Sequence, residues 1–171
     1  ASDGSFAALY GAGVDSLTVT GAFLTNPGGH GVYLAGGSYA RVDQSSFASN
    51  TSGYAALYLS GASYATITRT PLYNLAGWAA GFAAQSHHNT LAQSTMTVDN
   101  GSTALFMDYS SSNTVTQSLL RNPSGQAAWI VSGSNFNQID RSTLSAGSYN
   151  GLYVTWSSYN VVTQSYLETA G

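Results

Sequence analysis

The chain has 171 residues, a length that favours one domain with a single hydrophobic core. Only 6% of its residues are charged, and all four basic residues are arginine. This composition argues against nucleic acid and anionic membranes as partners, because both attract clustered positive charge. Cysteine is absent, which excludes disulfides, iron–sulfur clusters and thiolate zinc sites. No apolar run approaches the roughly 20 residues of a membrane-spanning helix.

A segment of 23 to 25 residues repeats along the whole chain. The clearest copies are 113–120 and 160–167, and weaker copies precede them. Each copy has one central aliphatic residue: Val19, Val42, Ile67, Leu91, Val115, Ile139 and Val162. Near-constant spacing over the whole chain predicts a repeat architecture.

Two further apolar columns accompany the central one in every repeat. One column lies ten residues before the central one and consists of short apolar stretches such as Val32-Tyr33-Leu34 and Leu57-Tyr58-Leu59. We align two less regular stretches with them: Gly81-Phe82-Ala83 and Trp129-Ile130-Val131. The other follows five residues later: Leu24, Phe47, Leu72, Met96, Leu120, Leu144 and Leu167. Each period therefore holds about three short strands separated by Gly, Ser and Asn turns, with no periodicity typical of a helix.

The three columns distinguish between the repeat folds. Leucine-rich repeats share the period but place their Asn after the leucines, a hexapeptide helix would repeat in sixes, and a β-sandwich would not produce matching columns. The pattern resembles the right-handed parallel β-helix of the pectate-lyase-like superfamily. We therefore predict an all-β fold: a single-domain right-handed parallel β-helix over residues 1–171, with about seven coils of 23–25 residues.

The columns also predict which side chains face outward. In the first apolar stretch the middle residue should point out, which gives one outward row of Tyr10, Tyr33, Tyr58, Phe82, Phe106, Ile130 and Tyr153, while Trp129 falls in an inward column. A second outward row lies near a turn: Tyr39, Tyr64, His88, Phe136 and Tyr159. A break in alternation after the central residue predicts a bend at Gln44, Arg69, Gln93, Gln117, Arg141 and Gln164. Repeated asparagines predict a hydrogen-bonded ladder at an inner corner: Asn89, Asn113, Asn137 and Asn160.

The acidic residues do not form a paired-carboxylate site. Asp43 and Asp140 share a column but lie four coils apart, roughly 19 Å at 4.8 Å per coil, which exceeds the separation used in glycoside hydrolysis. The resemblance implies enzymes that cut polysaccharides with clustered acids and calcium or with neighbouring Asp residues, and neither arrangement is found here. We therefore predict no catalytic residues, no metal site and no cofactor, with calcium left open. His87 and His88 beside Asp108 are the one remaining acid–base candidate.

Exposed aromatics suggest a binding surface instead. Aromatic faces stack on the apolar faces of sugar rings, and short polar side chains bind sugar hydroxyls. Three residues depart from the columns and, with Asp108, are the best candidates: Trp78, Tyr109 and Trp156. Four aromatics of the outward row complete the predicted ligand-binding set: Tyr58, Phe82, Phe106 and Tyr153.

These observations predict a secreted, non-catalytic carbohydrate-binding module for an extended neutral plant cell-wall polysaccharide of the xylan or β-glucan type. Because neither end of the repeat shows a polar cap, we expect a module from a larger protein, covalently linked to catalytic or other domains. Two alternatives stay open. One is a polysaccharide lyase or glycoside hydrolase with an atypical site near His88 and Asp108. The other is a structural or adhesive surface repeat.

Overall fold

The computed structural model describes residues 7–170, and these form three parallel sheets of seven strands each. The first sheet contains Ala7–Ala12, His30–Ala35, Ala55–Ser60, Trp78–Ala83, Thr103–Asp108, Gln126–Val131 and Leu152–Val154. The second contains Thr18–Thr20, Arg41–Asp43, Thr66–Thr68, Thr90–Ala92, Thr114–Thr116, Gln138–Asp140 and Val161–Thr163. The third contains Phe23–Asn26, Ser46–Ser49, Pro71–Asn74, Thr95–Val98, Leu119–Asn122, Thr143–Ala146 and Tyr166–Thr169.

Successive strands visit the three sheets in turn, so each coil contributes one strand to each sheet. We number the coils 1 to 7 along the chain. Every strand pairs in parallel with its equivalent in the next coil, as Val115 does with Ile139. The prediction of an all-β parallel β-helix of about seven coils is therefore confirmed. Residues 7–170 contain no helix long and apolar enough to cross a membrane.

The core fills the space between the three sheets. The central column, from Val42 to Ile139, is at most 3% exposed, and the third-sheet column packs beside it. Small and medium aliphatic residues recur at the same level in each coil, so each layer rests on an equivalent one. The predicted bend lies between the second and third sheets. Its residues Gln44, Arg69, Gln93, Gln117, Arg141 and Gln164 all have φ between 46° and 52°.

The asparagine ladder is present at the corner between the first and second sheets. The Asn113 side chain is fully buried, and its Oδ1 accepts from the Asn89 N–H at 2.8 Å. Its Nδ2 donates to the Ser86 carbonyl at 3.0 Å. Asn89 and Asn137 make the equivalent bonds one coil away. The ladder thus satisfies backbone groups that the turn leaves without sheet partners.

Two columns of the first sheet differ from the prediction by one residue. Gly81, not Phe82, pairs with Tyr58 and Phe106, so Phe82 lies in the core at 0% exposure. Trp129, not Ile130, pairs with Phe106 and Tyr153. Because strand side chains alternate between faces, a shift of one residue exchanges inside and outside. Phe82 and Ile130 are therefore wrong as outward residues, and Trp129 is wrong as an inward one.

Candidate functional site

A continuous row of aromatic rings covers the outer face of the first sheet. We call it the ring row, and its members are Tyr10, Tyr33, Tyr58, Trp78, Phe106, Trp129 and Tyr153. Neighbouring ring centroids are 4.9 to 6.3 Å apart. The predicted residues Tyr58, Trp78 and Phe106 stack in succession, whereas Tyr153 joins them through Trp129.

Trp78 fills the place in the row that Gly81 leaves empty. It begins its strand three residues before Gly81, and its ring stacks on Phe106 at 4.9 Å and on Tyr58 at 6.3 Å. A Cβ atom at Gly81 would lie 2.8 Å from Cδ2 of Tyr58 and 3.6 Å from Cε3 of Trp78. The glycine therefore makes room for the borrowed ring, which explains why Trp78 departs from the column pattern.

His30 supports the row from one side. It is 6% exposed and its ring stacks on Tyr58 at 4.8 Å. Nδ1 of His30 accepts from the Ala55 N–H at 3.0 Å, which requires an unprotonated Nδ1. Burial lowers the pKa of His30 from its usual value, although the nearby Ala55 carbonyl opposes the shift. The imidazole is thus a neutral, structural member of this face.

Tyr109 and Trp156 lie in the turns that leave the first sheet. Their φ values are 47° and 52°, at a turn where Gly13, Gly36 and Gly61 supply positive φ in other coils. Left-handed backbone costs a non-glycine residue about 1–2 kcal/mol. Tyr109 is 60% exposed and Trp156 is 85% exposed, so burial does not repay that cost. No other aromatic ring stacks on either residue within residues 7–170.

Asp108 ends its strand on the same face, next to the ring row. Its side chain is half-buried. Burial, and then the negative charges of Tyr33 and Asp108, raise the pKa of the Tyr58 hydroxyl. The charge of Asp108 therefore acts on the middle of the ring row. Of the predicted site residues, two lie in the turns beside this face and one lies in the core: Tyr109, Trp156 and Phe82, respectively.

A cleft that the sequence did not reveal borders the ring row. We call it the edge cleft; it has a volume of about 570 Å³ and lies along the turns that join the third sheet to the first. Its lining includes Trp78, Asn100, Thr103, Gln126, Trp129 and Tyr149. Aligning Trp129 with the tyrosine column would have placed Trp129 at this cleft. The cleft itself could not be predicted, because the repeat alone does not give the lengths of the turns that form it.

The histidine pair has structural partners. His88 stacks on Tyr64 at 4.9 Å, and Nδ1 of His87 accepts from the Ser111 N–H at 2.9 Å. No hydrogen bond joins either histidine to Asp108 in the described part of the chain. The same residues, 7–170, hold no group of three or more His, Cys, Asp or Glu side chains that could bind a metal ion.

The predicted second row lies at the turn between the first and second sheets. Tyr39 stacks on Tyr64 at 5.3 Å, and Phe136 stacks on Tyr159 at 4.9 Å. Ser112 interrupts the row between His88 and Phe136, with the same positive φ as its neighbours. This row is therefore a set of regular turn residues, and most of its rings cover one another.

The comparisons agree with the geometry. A family model for the right handed beta helix region matches residues 7–167. The chain belongs to the right-handed β-helix family. No curated protein matches the chain significantly. Among solved structures it is similar to HetL, a pentapeptide repeat protein involved in heterocyst differentiation regulation from the cyanobacterium Nostoc sp. strain PCC 7120. The two chains share 13% identity over 95% of this chain and 88% of HetL, with a TM-score of 0.17, and this likeness carries no functional argument.

Proposed function

We propose that this β-helix is a secreted, non-catalytic carbohydrate-binding module that binds an extended neutral polysaccharide of the xylan or β-glucan type. The binding face is the outer surface of the first sheet over coils 3 to 7, together with the turns that flank it. We also propose that the chain is related to the pectate-lyase-like superfamily and that it is covalently linked to catalytic or other domains.

The observation that carries the proposal is the exposure of Tyr109. Coil 5 has a neighbouring coil on either side, yet the Tyr109 ring is 60% exposed at a φ of 47°, where glycine is the residue that fits best. Exposed, fixed aromatic faces suit the apolar C–H face of a sugar ring. Trp156 offers a second such ring two coils away, about 9.6 Å along the axis. Its 85% exposure is shared with the rest of the last coil, where the core residue Val162 is 39% exposed.

The size and the charge of the proposed binding face suit a neutral polymer. The ring row runs parallel to the helix axis through all seven coils, and seven strands at about 4.8 Å give a face on the order of 30 Å long. Asp108 is the one acidic side chain identified on this face among the described residues, and it can accept hydrogen bonds from sugar hydroxyls. With four arginines in the chain, a strongly acidic polymer would find little positive charge.

Affinity electrophoresis tests the proposal directly. The purified chain is run in gels that contain xylan, cellulose derivatives, β-glucan, mannan or pectin, and reducing-sugar release is followed in parallel. We expect one neutral polymer to retard the chain with no release of sugar. Trp156→Ala should weaken retardation several-fold, since one aromatic contact contributes about 0.5–1.5 kcal/mol.

Phe136→Ala is the matched control for this experiment. Phe136 is 59% exposed but belongs to the turn row rather than to the proposed face. Normal retardation of both Trp156→Ala and Tyr109→Ala would show that the face is wrongly assigned. Sugar release would instead favour an enzyme with an atypical site near His88 and Asp108.

A structural or adhesive repeat is the second candidate, and the stacking in the ring row favours it. Trp78 and Phe106 lie 13° from parallel at 4.9 Å, so each covers a face of the other. Rings used in this way stabilise the solenoid and present mainly their edges to solvent. This candidate predicts no retardation by any polymer and tolerance of Trp156→Ala.

A further inference from the structure

The edge cleft has a volume typical of a ligand site. Its volume of about 570 Å³ lies in the range of roughly 300–1,000 Å³ that is typical of small-molecule sites. It is built by the turns that enter coils 3 to 7, from Ser52 and Gly53 at one end to Tyr149 at the other. The cleft is therefore one continuous depression across several coils, and not a small gap repeated between each pair of turns.

The turns that line the cleft are held in place by asparagine side chains. Nδ2 of Asn74 donates to the Tyr54 carbonyl at 2.9 Å, and Nδ2 of Asn122 donates to the Ser102 carbonyl at 2.8 Å. Asn100 accepts from the Ser102 N–H at 2.6 Å and donates to the Gly77 carbonyl at 3.2 Å. These amides are used by the turns, so the cleft is shaped before any ligand arrives.

One hydrogen-bond donor at the cleft is left over. Trp129 lines the cleft, and its Nε1 atom is buried without a hydrogen-bond partner among residues 7–170. An unsatisfied buried donor costs about 1–3 kcal/mol, and most native indoles avoid that cost. Nε1 is buried whereas the Trp129 side chain as a whole is half-buried, so this donor meets an acceptor in the cleft only if the indole rotates.

The chemistry of the lining selects a neutral, oxygen-rich ligand. Every residue that lines the cleft is uncharged, so it offers no ion pair to a carboxylate, a phosphate or an amine. Trp78, Trp129 and Tyr149 supply aromatic surface, and Gln126 supplies an amide. Ring faces with a few amide and hydroxyl groups match a sugar residue, whose hydroxyl and ring oxygens accept from an indole N–H.

The position of the cleft relates it to the ring row. Trp78 and Trp129 belong to both, so a polysaccharide that follows the row along the axis passes the mouth of the cleft. The cleft itself lies to one side of that path, along the turns. We propose that the edge cleft binds a sugar residue that branches from the main chain, and that the protein selects decorated neutral polysaccharides over linear ones. This inference rests on the proposed function.

Paired oligosaccharides test the inference. Calorimetric titration compares a linear β-1,4-xylan hexasaccharide with an arabinose-substituted one, and a linear β-1,4-glucan hexasaccharide with a xylose-branched one. We expect one decorated ligand to bind about five- to tenfold tighter than its linear partner, which corresponds to one additional satisfied donor. Trp129→Phe keeps an aromatic ring in the row but removes the N–H, so it should abolish that preference, measured as the ratio of decorated to linear affinity within the same variant.

Trp156→Phe is the matched control, because it alters an indole outside the cleft. It should weaken linear and decorated ligands equally. A second readout uses the indole N–H signals in a proton–nitrogen NMR spectrum, which has three because the chain has three tryptophans. The signal that Trp129→Phe removes should shift further when the decorated ligand is added than when the linear one is.

Three outcomes would overturn the inference. Equal binding of linear and decorated ligands would exclude a branch subsite and leave the proposed function standing. A preference that survives Trp129→Phe, with an unshifted Trp129 signal, would place the branch elsewhere. Failure of every ligand to bind a folded chain would reject the proposed function and this inference together.

Discussion

Replacement of Asn113 by alanine tests the physical basis of the solenoid. The side chain is fully buried, accepts from the Asn89 N–H at 2.8 Å and donates to the Ser86 carbonyl at 3.0 Å. Alanine leaves both backbone groups buried without these partners. A buried unsatisfied polar group costs about 1–3 kcal/mol, and the carbonyl suffers less than the N–H, so we expect a loss of about 2–4 kcal/mol.

Equilibrium unfolding in urea measures this loss as a lower midpoint at an unchanged slope. Gln138→Ala is the control, since it removes an exposed amide from the adjoining sheet and should change stability by less than about 0.5 kcal/mol. Asn113→Asp keeps the acceptor for Asn89, but its ionised carboxylate has no donor for the Ser86 carbonyl. Protonation supplies an O–H donor, so this variant should recover part of the loss as the pH is lowered. If Asn113→Ala is as stable as Gln138→Ala, the ladder is not a source of stability and the reasoning is wrong.

Three further predictions follow from the ring rows. Burial lowers the pKa of His30 below its usual value of 6.5, so as the pH falls below 6.5 the unfolded chain binds a proton before the folded chain does. The free energy of unfolding should therefore fall as the pH drops below 6.5. His30→Gln should remove this dependence in denaturant titrations at several pH values. Ser112→Tyr should fill the gap in the turn row and raise the free energy of unfolding by about 1 kcal/mol; no gain would show that its neighbours are not aligned for stacking. Trp78→Ala should lower the melting temperature by removing two ring contacts, and Gly81→Ala should lower it as well, because the new Cβ would lie 2.8 Å from Cδ2 of Tyr58; a Gly81→Ala variant as stable as the parent would contradict the account of the borrowed ring.

The fold could be predicted from the sequence because a solenoid repeats its constraints. Each coil must present an aliphatic residue at the same level, so Val115, Ile139 and their equivalents recur at a period that only stacked coils explain. The bend at Gln117 was readable for the same reason, as a break in alternation repeated in every coil. The asparagine ladder followed from identical side chains at one corner, where each bonds to the next coil.

The site was harder to predict because it lies where the repeats differ. Phe82 and Trp129 were misplaced because short apolar stretches permit two alignments that differ by one residue. Packing decides between them: Phe82 fills the core between Leu59 and Met107, and Gly81 leaves space for a ring from elsewhere in the strand. The edge cleft depends on the path of the turns between the third and first sheets, which vary in length and sequence. The exposure of Tyr109 and Trp156 in turns was predicted correctly because they replace small residues, whereas their role in binding stays a prediction.

Ring geometry separates the two roles that aromatics have in this protein. In the ring row, Trp78 and Phe106 cover each other's faces, so their contact energy is already used in the folded chain. Trp156 has no other aromatic ring stacked on it among residues 7–170, and Trp129 lies at 64° to Phe106 with an unpartnered indole N–H. A stacked ring should therefore affect stability more than binding, and an unstacked one should affect binding more than stability. Alanine substitutions at Phe106 and Trp156, compared for both quantities, distinguish a binding face from a purely structural one.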